Sequence, residues 1–359
     1  GTVSHILTYD PSRVRTLMGL FISPDLTVFY NLKQWGHHFV MVGYAVFLML
    51  MLGQIAFPDG EMGSPACSDD DPLRNRNMCS LNTVLEEGTD AFQWLIGFIL
   101  AGFVGTSVAT WATRRRNYAA LCGAARNLNI LVAAFVPLDP TDAEMMATRK
   151  TLGRWVMLAM ELAMLKARGA MDTDEGRQHL QNMSLLEPGE WEAMVPGDRH
   201  STIFWWIQLE LVRLQKAGFV AVEYVTVATN HISAMRAQAN DLMSSLDRDK
   251  PYPYVSICGL LVKMNVFIFS TWKGVQWAIW YFSFGDELQD QSKLWIDMAI
   301  LFMWNLGYVG LYDLGYFLHN PFGGRRIDVA HELIFGGIRT LSTELALGEP
   351  HLPPHAIKM

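Results

Sequence analysis

Two stretches of this sequence carry no charged residue and are long enough to cross a lipid bilayer. Phe39–Phe57 reads FVMVGYAVFLMLMLGQIAF and Ala91–Thr113 reads AFQWLIGFILAGFVGTSVATWAT. A spanning helix needs roughly 20 apolar residues to cover about 30 Å of hydrocarbon. Two further runs, Tyr254–Phe284 and Leu294–His319, have the length but contain Lys263 and Lys273, and Asp297 and Asp313. Charges are costly in lipid and usually face a bundle interior or an aqueous path. The chain is therefore expected to be all-α and integral to a membrane, with four transmembrane helices. A large soluble helical core is the competing reading, and uncharged runs of this length weigh against it.

The rest of the chain must be polar enough to balance those spans. Charged residues make up 18% of the 359, against about 25% in average soluble proteins, yet mean hydropathy is only +0.15. Twelve Trp and few charges exclude disorder. A net charge of −7 gives no basic domain for nucleic acid. Four Cys are too few for a disulfide-dense scaffold.

The polar part lies mainly in the middle. Residues 114–253 read as a helical domain, preceded by the first two spans (39–113) and followed by the last two (254–319). Residues 1–38 form an N-terminal segment and 320–359 a C-terminal helix and tail. Ala147–Gly169 and Thr202–Asp241 space their apolar residues as amphipathic helices do, the second with Trp205, Trp206, Leu209, Leu211 and Val212 near its start. Thr141-Asp-Ala-Glu144 reads as a capping box. Pro188-Gly189 and Pro196-Gly197 mark breaks between helices. No alternation runs long enough to build a sheet.

Orientation follows from charge. The second span ends in Arg114-Arg115-Arg116, and loop 58–90 is acidic, with Asp69, Asp70, Asp71, Glu86, Glu87 and Asp90. Basic flanks stay on the cytoplasmic side, which makes 114–253 and both termini cytosolic and 58–90 external. An external loop is oxidising, so Cys67 and Cys79 are expected to form a disulfide; Cys122 and Cys258 read as solitary thiols. No signal or transit peptide is evident, and a start at Gly1 fits a processed chain or a piece of a longer one. Plasma membrane and an organelle membrane such as the thylakoid are equally compatible.

Catalytic motifs are missing. There is no GxSxG, Walker A or Rossmann glycine pattern. His37 and His38 are adjacent and point to different helix faces. His331-Glu332 has no second His at zincin spacing. The chain reads as a non-enzyme without a cofactor.

Asn320-Pro321-Phe322-Gly323, directly after the fourth span, resembles the Asn/Asp-Pro-Phe-Gly signature of the bestrophin family. Pro251-Tyr252-Pro253, directly before the third span, resembles the Pro-x-Pro of its bacterial and plant members. Leu186-Glu-Pro-Gly-Glu-Trp-Glu192 followed by Ile203-Phe-Trp-Trp206 is similar to the family's cytosolic acidic helix and aromatic segment. The resemblance is colinear from about residue 15 to 345 and implies a homopentameric channel passing chloride or bicarbonate.

In that family the second membrane helix of each subunit lines a narrow apolar neck, and the pore narrows again at a cytosolic aperture. Two registers of the neck are open here: Trp94, Phe98 and Gly102, or Leu95, Ile99 and Phe103. Aligning Trp111 with the family's Arg-Trp-Trp favours the first, and Gly102 would then widen the inner end. The same span also offers Gly97, Ala101 and Gly105 at the small-xxx-small spacing of ordinary helix packing. Counting back from Pro253 puts the aperture at Val225. Animal members clasp Ca²⁺ with an acidic run after the signature. Here the run is Gly323-Gly-Arg-Arg-Ile-Asp328, with one carboxylate, Asp328, where a Ca²⁺ site needs several. No animal-type clasp is expected; Asp328 would pair with Arg325 or Arg326 or cap a helix near Val329. Two other readings stay open. One is an ion-coupled transporter using Asp297, Asp313 or Lys263. The other is the output module of a larger sensor-gated chain, as in algal members fused to rhodopsin domains, where retinal would sit in the fused part.

Overall fold

The structure is a computed structural model, and it describes residues 32–56, 76–137, 142–247, 250–283, 291–322 and 328–347. Every regular element among them is a helix: α1 Leu32–Ala56, α2 Arg76–Phe135, α3 Ala143–Ala167, α4 Asp174–Asn182, α5 Glu190–Ala193, α6 Arg199–Lys216, α7 Val222–Asp247, α8 Tyr252–Ser283, α9 Gln291–Phe317 and α10 His331–Leu347. Four of them, α1, α2, α8 and α9, are long and apolar enough to cross a membrane.

The second span is part of a much longer helix than its apolar run implies. α2 holds 60 residues, and so absorbs the last part of the expected 58–90 loop and the triple Arg. The sequence contains no Pro between Pro72 and Pro137, and a change from apolar to polar side chains does not interrupt backbone hydrogen bonding. The expected Thr202–Asp241 helix is instead two. Gly218 takes a positive φ of 81°, its N–H bonds the Gln215 carbonyl, and the Phe219 N–H bonds the Leu214 carbonyl. That pair of bonds is a Schellman stop, which glycine reaches without a Cβ penalty. The cap of α3 is Asp142, whose carboxylate accepts from the Glu144 and Met145 N–H groups at 3.0 Å; Thr141 lies outside the described residues. α10 starts at His331, two residues beyond Val329.

The chain divides into two compact units. One comprises the described residues among 32–109 and 250–319. In it α8 packs along α1, and α9 packs on both. Gly274 allows the close approach: a Cβ there would lie 2.8 Å from the Ala45 carbonyl oxygen. Ala45, Met49, Phe269, Trp277, Ala278 and Leu301 form one apolar cluster, and Ile96, Leu100, Phe103, Cys258 and Val262 another.

The other unit comprises the described residues among 110–249 and 320–347. α3 is its centre, contacting α4, α6, α7 and α10. From Val156 to Leu165 every α3 residue is buried, on all sides of the helix. The spacing of Ala147–Gly169 predicts an amphipathic helix with one open face; along this stretch no face is open, because helices pack round the whole circumference. Glu161 is the one charged residue in that stretch, and its partners are described below.

Candidate functional site

On α2 the two neck registers separate by exposure. Successive residues turn by about 100°, and the buried face is marked by Ile96, Leu100, Phe103 and Ser107. Trp94, Phe98 and Gly102 lie opposite, together with Ala101, Gly105 and Ala109, all exposed. Trp94 and Phe98 are each 83% exposed. The other row climbs inward: Leu95 is exposed, Ile99 half-buried, and Phe103 only 3% exposed. Phe103 stacks on Tyr312 with centroids 5.5 Å apart. The Lys250 ammonium sits 3.9 Å over its ring and donates to its carbonyl at 3.1 Å and to the Ser107 hydroxyl. Phe103 is thus a packing residue of its unit. The outward face carries aromatic bulk at Trp94 and Phe98, then small residues, and no charge from Ala91 to Ala109.

Val225 falls on the buried stripe of α7. It is 8% exposed and aligned with Ala228, Ile232, Met235 and Ala239. The open face of α7 presents Val222, Thr226, Asn230 and Ser233. A count in sequence places a residue on an element but not on a face of it, and one helical step decides between core and surface.

The two proline motifs have local structural tasks. The Pro251 carbonyl accepts the N–H groups of Tyr254 and Val255 at 2.9 and 3.2 Å, so Pro251 and Pro253 open α8 where no N–H is needed. Asn320 Oδ1 accepts the Phe322 N–H at 3.0 Å, and the Pro321 carbonyl accepts the Val329 N–H at 2.8 Å. Phe322 is buried against the Tyr118 ring, 5.8 Å between centroids, and its carbonyl accepts Arg168 Nε at 3.0 Å. Gly323, Arg325 and Arg326 lie outside the described residues, as does Cys67. Asp328 is described, and among the described residues no group of three or more His, Cys, Asp or Glu could hold a metal ion. Cys79 is disulfide-bonded, whereas Cys122 and Cys258 are buried free thiols.

The triple Arg is not one feature. Arg114 is buried and donates through Nε to the Ser245 carbonyl at 3.0 Å, and through Nη2 to that of Leu246 at 3.4 Å. It satisfies the last carbonyls of α7. Arg115 and Arg116 are exposed, and Arg115 lies 4.7 Å over the Trp111 ring.

One polar cluster goes unmarked by any sequence motif. Glu161, 1% exposed, holds two histidines. Its Oε1 is 2.9 Å from His179 Nε2 and its Oε2 is 2.6 Å from His331 Nε2. His331 Nδ1 is 2.9 Å from the Tyr118 hydroxyl. Burial alone would push the Glu161 carboxyl up; hydrogen bonds from His179 and His331 outweigh it and hold the group down to about 2. The hydrogen bond to Glu161 raises His179 above its ordinary value, against partial burial. The signal available in sequence was a single Glu inside Trp155–Leu165, an otherwise uncharged run. A shallow groove of about 480 Å³ beside Trp155 and Trp206 holds no comparable chemistry. Its Glu190 is already engaged by Arg154 and by Trp155 Nε1, and its Glu210 by Arg213.

No family model matches this sequence, and no curated protein matches it. Solved structures do. A bacterial bestrophin homologue from Klebsiella pneumoniae superposes with a TM-score of 0.63 at 12% identity, over 89% of this chain and 99% of that one. A point variant of the same homologue gives 0.62 at 13% identity, over 89% and 99%. A structure described only as a membrane protein gives 0.63 at 12%, over 88% and 98%. With its four apolar helices the chain is an integral membrane protein, and over nearly its whole length it has the bestrophin fold.

Proposed function

We propose that the chain is one subunit of a homopentameric channel that conducts anions passively, chloride and bicarbonate among them. The observation that carries this reading is the outward face of α2. Two aromatic side chains, Trp94 and Phe98, project from a membrane helix on a face without charge, followed by Gly102, Gly105 and Ala109. Five such faces around an axis make a dry constriction that widens towards its inner end. Constrictions of this kind control ions by dewetting rather than by binding them. Weakly hydrated anions shed water at lower cost and should pass more readily than chloride.

The remaining parts follow from the same arrangement. The unit built on α3 is a cytosolic vestibule, with exposed basic residues such as Arg116 and Arg236 raising the local anion concentration. The lower aperture is formed by the open face of α7, at Val222 or Thr226. Gating does not use an animal-type Ca²⁺ clasp, and the protein is a channel rather than an enzyme.

Substitution in the neck tests this reading. In planar bilayers, Phe98→Ala and Trp94→Ala should raise unitary conductance, whereas Phe103→Leu, on the packed face, should leave ion selectivity unchanged. Unaltered conductance in both Phe98→Ala and Trp94→Ala would remove α2 from the pore.

A further inference from the structure

The hydrogen-bonded chain from His179 to Tyr118 joins four helices and runs from solvent to the core. Its outer end is His179 on α4, whose side chain is 37% exposed. Its middle is Glu161 on α3 and His331, the first residue of α10. Its inner end is Tyr118 on α2, the helix that carries Trp94 and Phe98. The turns on either side fix these positions. Gly169, with φ 71°, stops α3, and Thr173 caps α4 through the Gly176 N–H at 3.1 Å. That reversal lays His179 against Glu161. The Asn320 turn and the Val329–Pro321 bond bring His331 to the other side.

His331 Nε2 donates to Glu161 Oε2, and its Nδ1 is paired with the Tyr118 hydroxyl. Glu161, held low by this bond and by the one from His179, is ionised and accepts from both. His179 faces water, can change its charge near neutral pH, and keeps its Nε2–H to Glu161 whether or not Nδ1 is protonated. Other charges face it from neighbouring elements: Arg168 after α3 opposes protonation, and Glu332 on α10 favours it. Arg168 also reaches the Phe322 carbonyl, next to the Tyr118 ring.

We propose that this chain is a pH-sensitive latch fastening α2 to α10 and the Asn320–Phe322 turn, and that loss of the His179 proton loosens it. With His179 charged, the buried carboxylate is neutralised at the end nearest water. With His179 neutral, Glu161 keeps its charge in the core on neutral hydrogen bonds alone. His179 is the sensor; His331 and Tyr118 are positioning residues. The sign follows from the raised affinity of folded His179 for its proton: the stabilisation is complete below its ordinary value near 6.5 and is lost as pH rises through the higher folded value. The effect on current rests on the channel reading, whereas the latch itself does not.

The test uses the full chain in detergent and in bilayers, between about pH 6 and pH 9. Through the latch, the thermal midpoint of wild type should fall by about a degree over that range. His179→Gln, which keeps an N–H for Glu161 but cannot titrate, should flatten that fall attributable to the latch. Tyr118→Phe should keep the pH slope of melting but lose the pH response of the current. A wild-type slope unchanged in His179→Gln, or a flat wild type, would overturn the proposal. A silent wild-type bilayer would count against the channel reading; the melting slopes would still uphold or overturn the latch.

Discussion

Replacing Glu161 by Ala removes the only charged group from the buried stretch of α3, and the structure lets the cost be divided. The His179 side of the pair is 37% exposed; once released, that ring turns to water, and its contribution is small, about 1 kcal/mol or less. The His331 side is 3% exposed. Its Nε2–H loses a charge-assisted bond of 2.6 Å, about 1.5–3 kcal/mol, and is left without an acceptor in the core, about 1–3 kcal/mol more. Together these come to about 2.5–7 kcal/mol, which brackets the 3–5 kcal/mol seen when one partner of a buried pair is deleted. At about 2.1 cal/mol/K of unfolding entropy per residue, 3–5 kcal/mol in a protein of this size corresponds to a fall in melting temperature of roughly 4–7 °C. Glu161→Gln retains one acceptor and should lose less. Tryptophan fluorescence on the purified protein measures both midpoints. If Glu161→Ala melts within about 1 kcal/mol of wild type, the carboxylate does not hold α10 to α3 and the reasoning fails.

Arg114→Met should cost about 2–3 kcal/mol, because two carbonyls at the end of α7 lose a charged donor; Arg116→Met, on the exposed face, should melt like wild type. Gly274→Val should cost about 1–3 kcal/mol through overpacking, since its Cβ position is 2.8 Å from the Ala45 carbonyl; reduced yield of monodisperse protein and a lower midpoint would register it. Chelating Ca²⁺ should leave bilayer current unchanged, as one carboxylate at Asp328 cannot supply a Ca²⁺ coordination shell; current abolished by chelation would refute that.

The spans were legible because lipid imposes a single strong rule, length without charge, and Phe39–Phe57 and Ala91–Thr113 satisfy it outright. Their ends were not. Nothing in residues 114–135 stops a helix once begun, and hydropathy does not report helix continuity. Faces were legible only where the helix has one clear gradient. The Trp94–Phe98–Gly102 row is apolar, and so is Leu95–Ile99–Phe103; three-dimensional packing distinguishes them by burying Phe103 against Tyr312. Val225 failed to fall on the open face for the same reason, since valine suits a core stripe as well as a pore. The Glu161 cluster was invisible because its members come from residues 118, 161, 179 and 331, brought together only by tertiary structure. The triple Arg reads as one basic flank in sequence, yet Arg114 points inward to α7 while Arg115 and Arg116 point out.

The most direct test of the central claim is the reversal potential of the purified protein in a planar bilayer under a KCl gradient. An anion channel reverses close to the chloride equilibrium potential, and replacing chloride by a larger, weakly hydrated anion shifts the reversal towards that anion. Reversal close to the potassium potential would contradict the account.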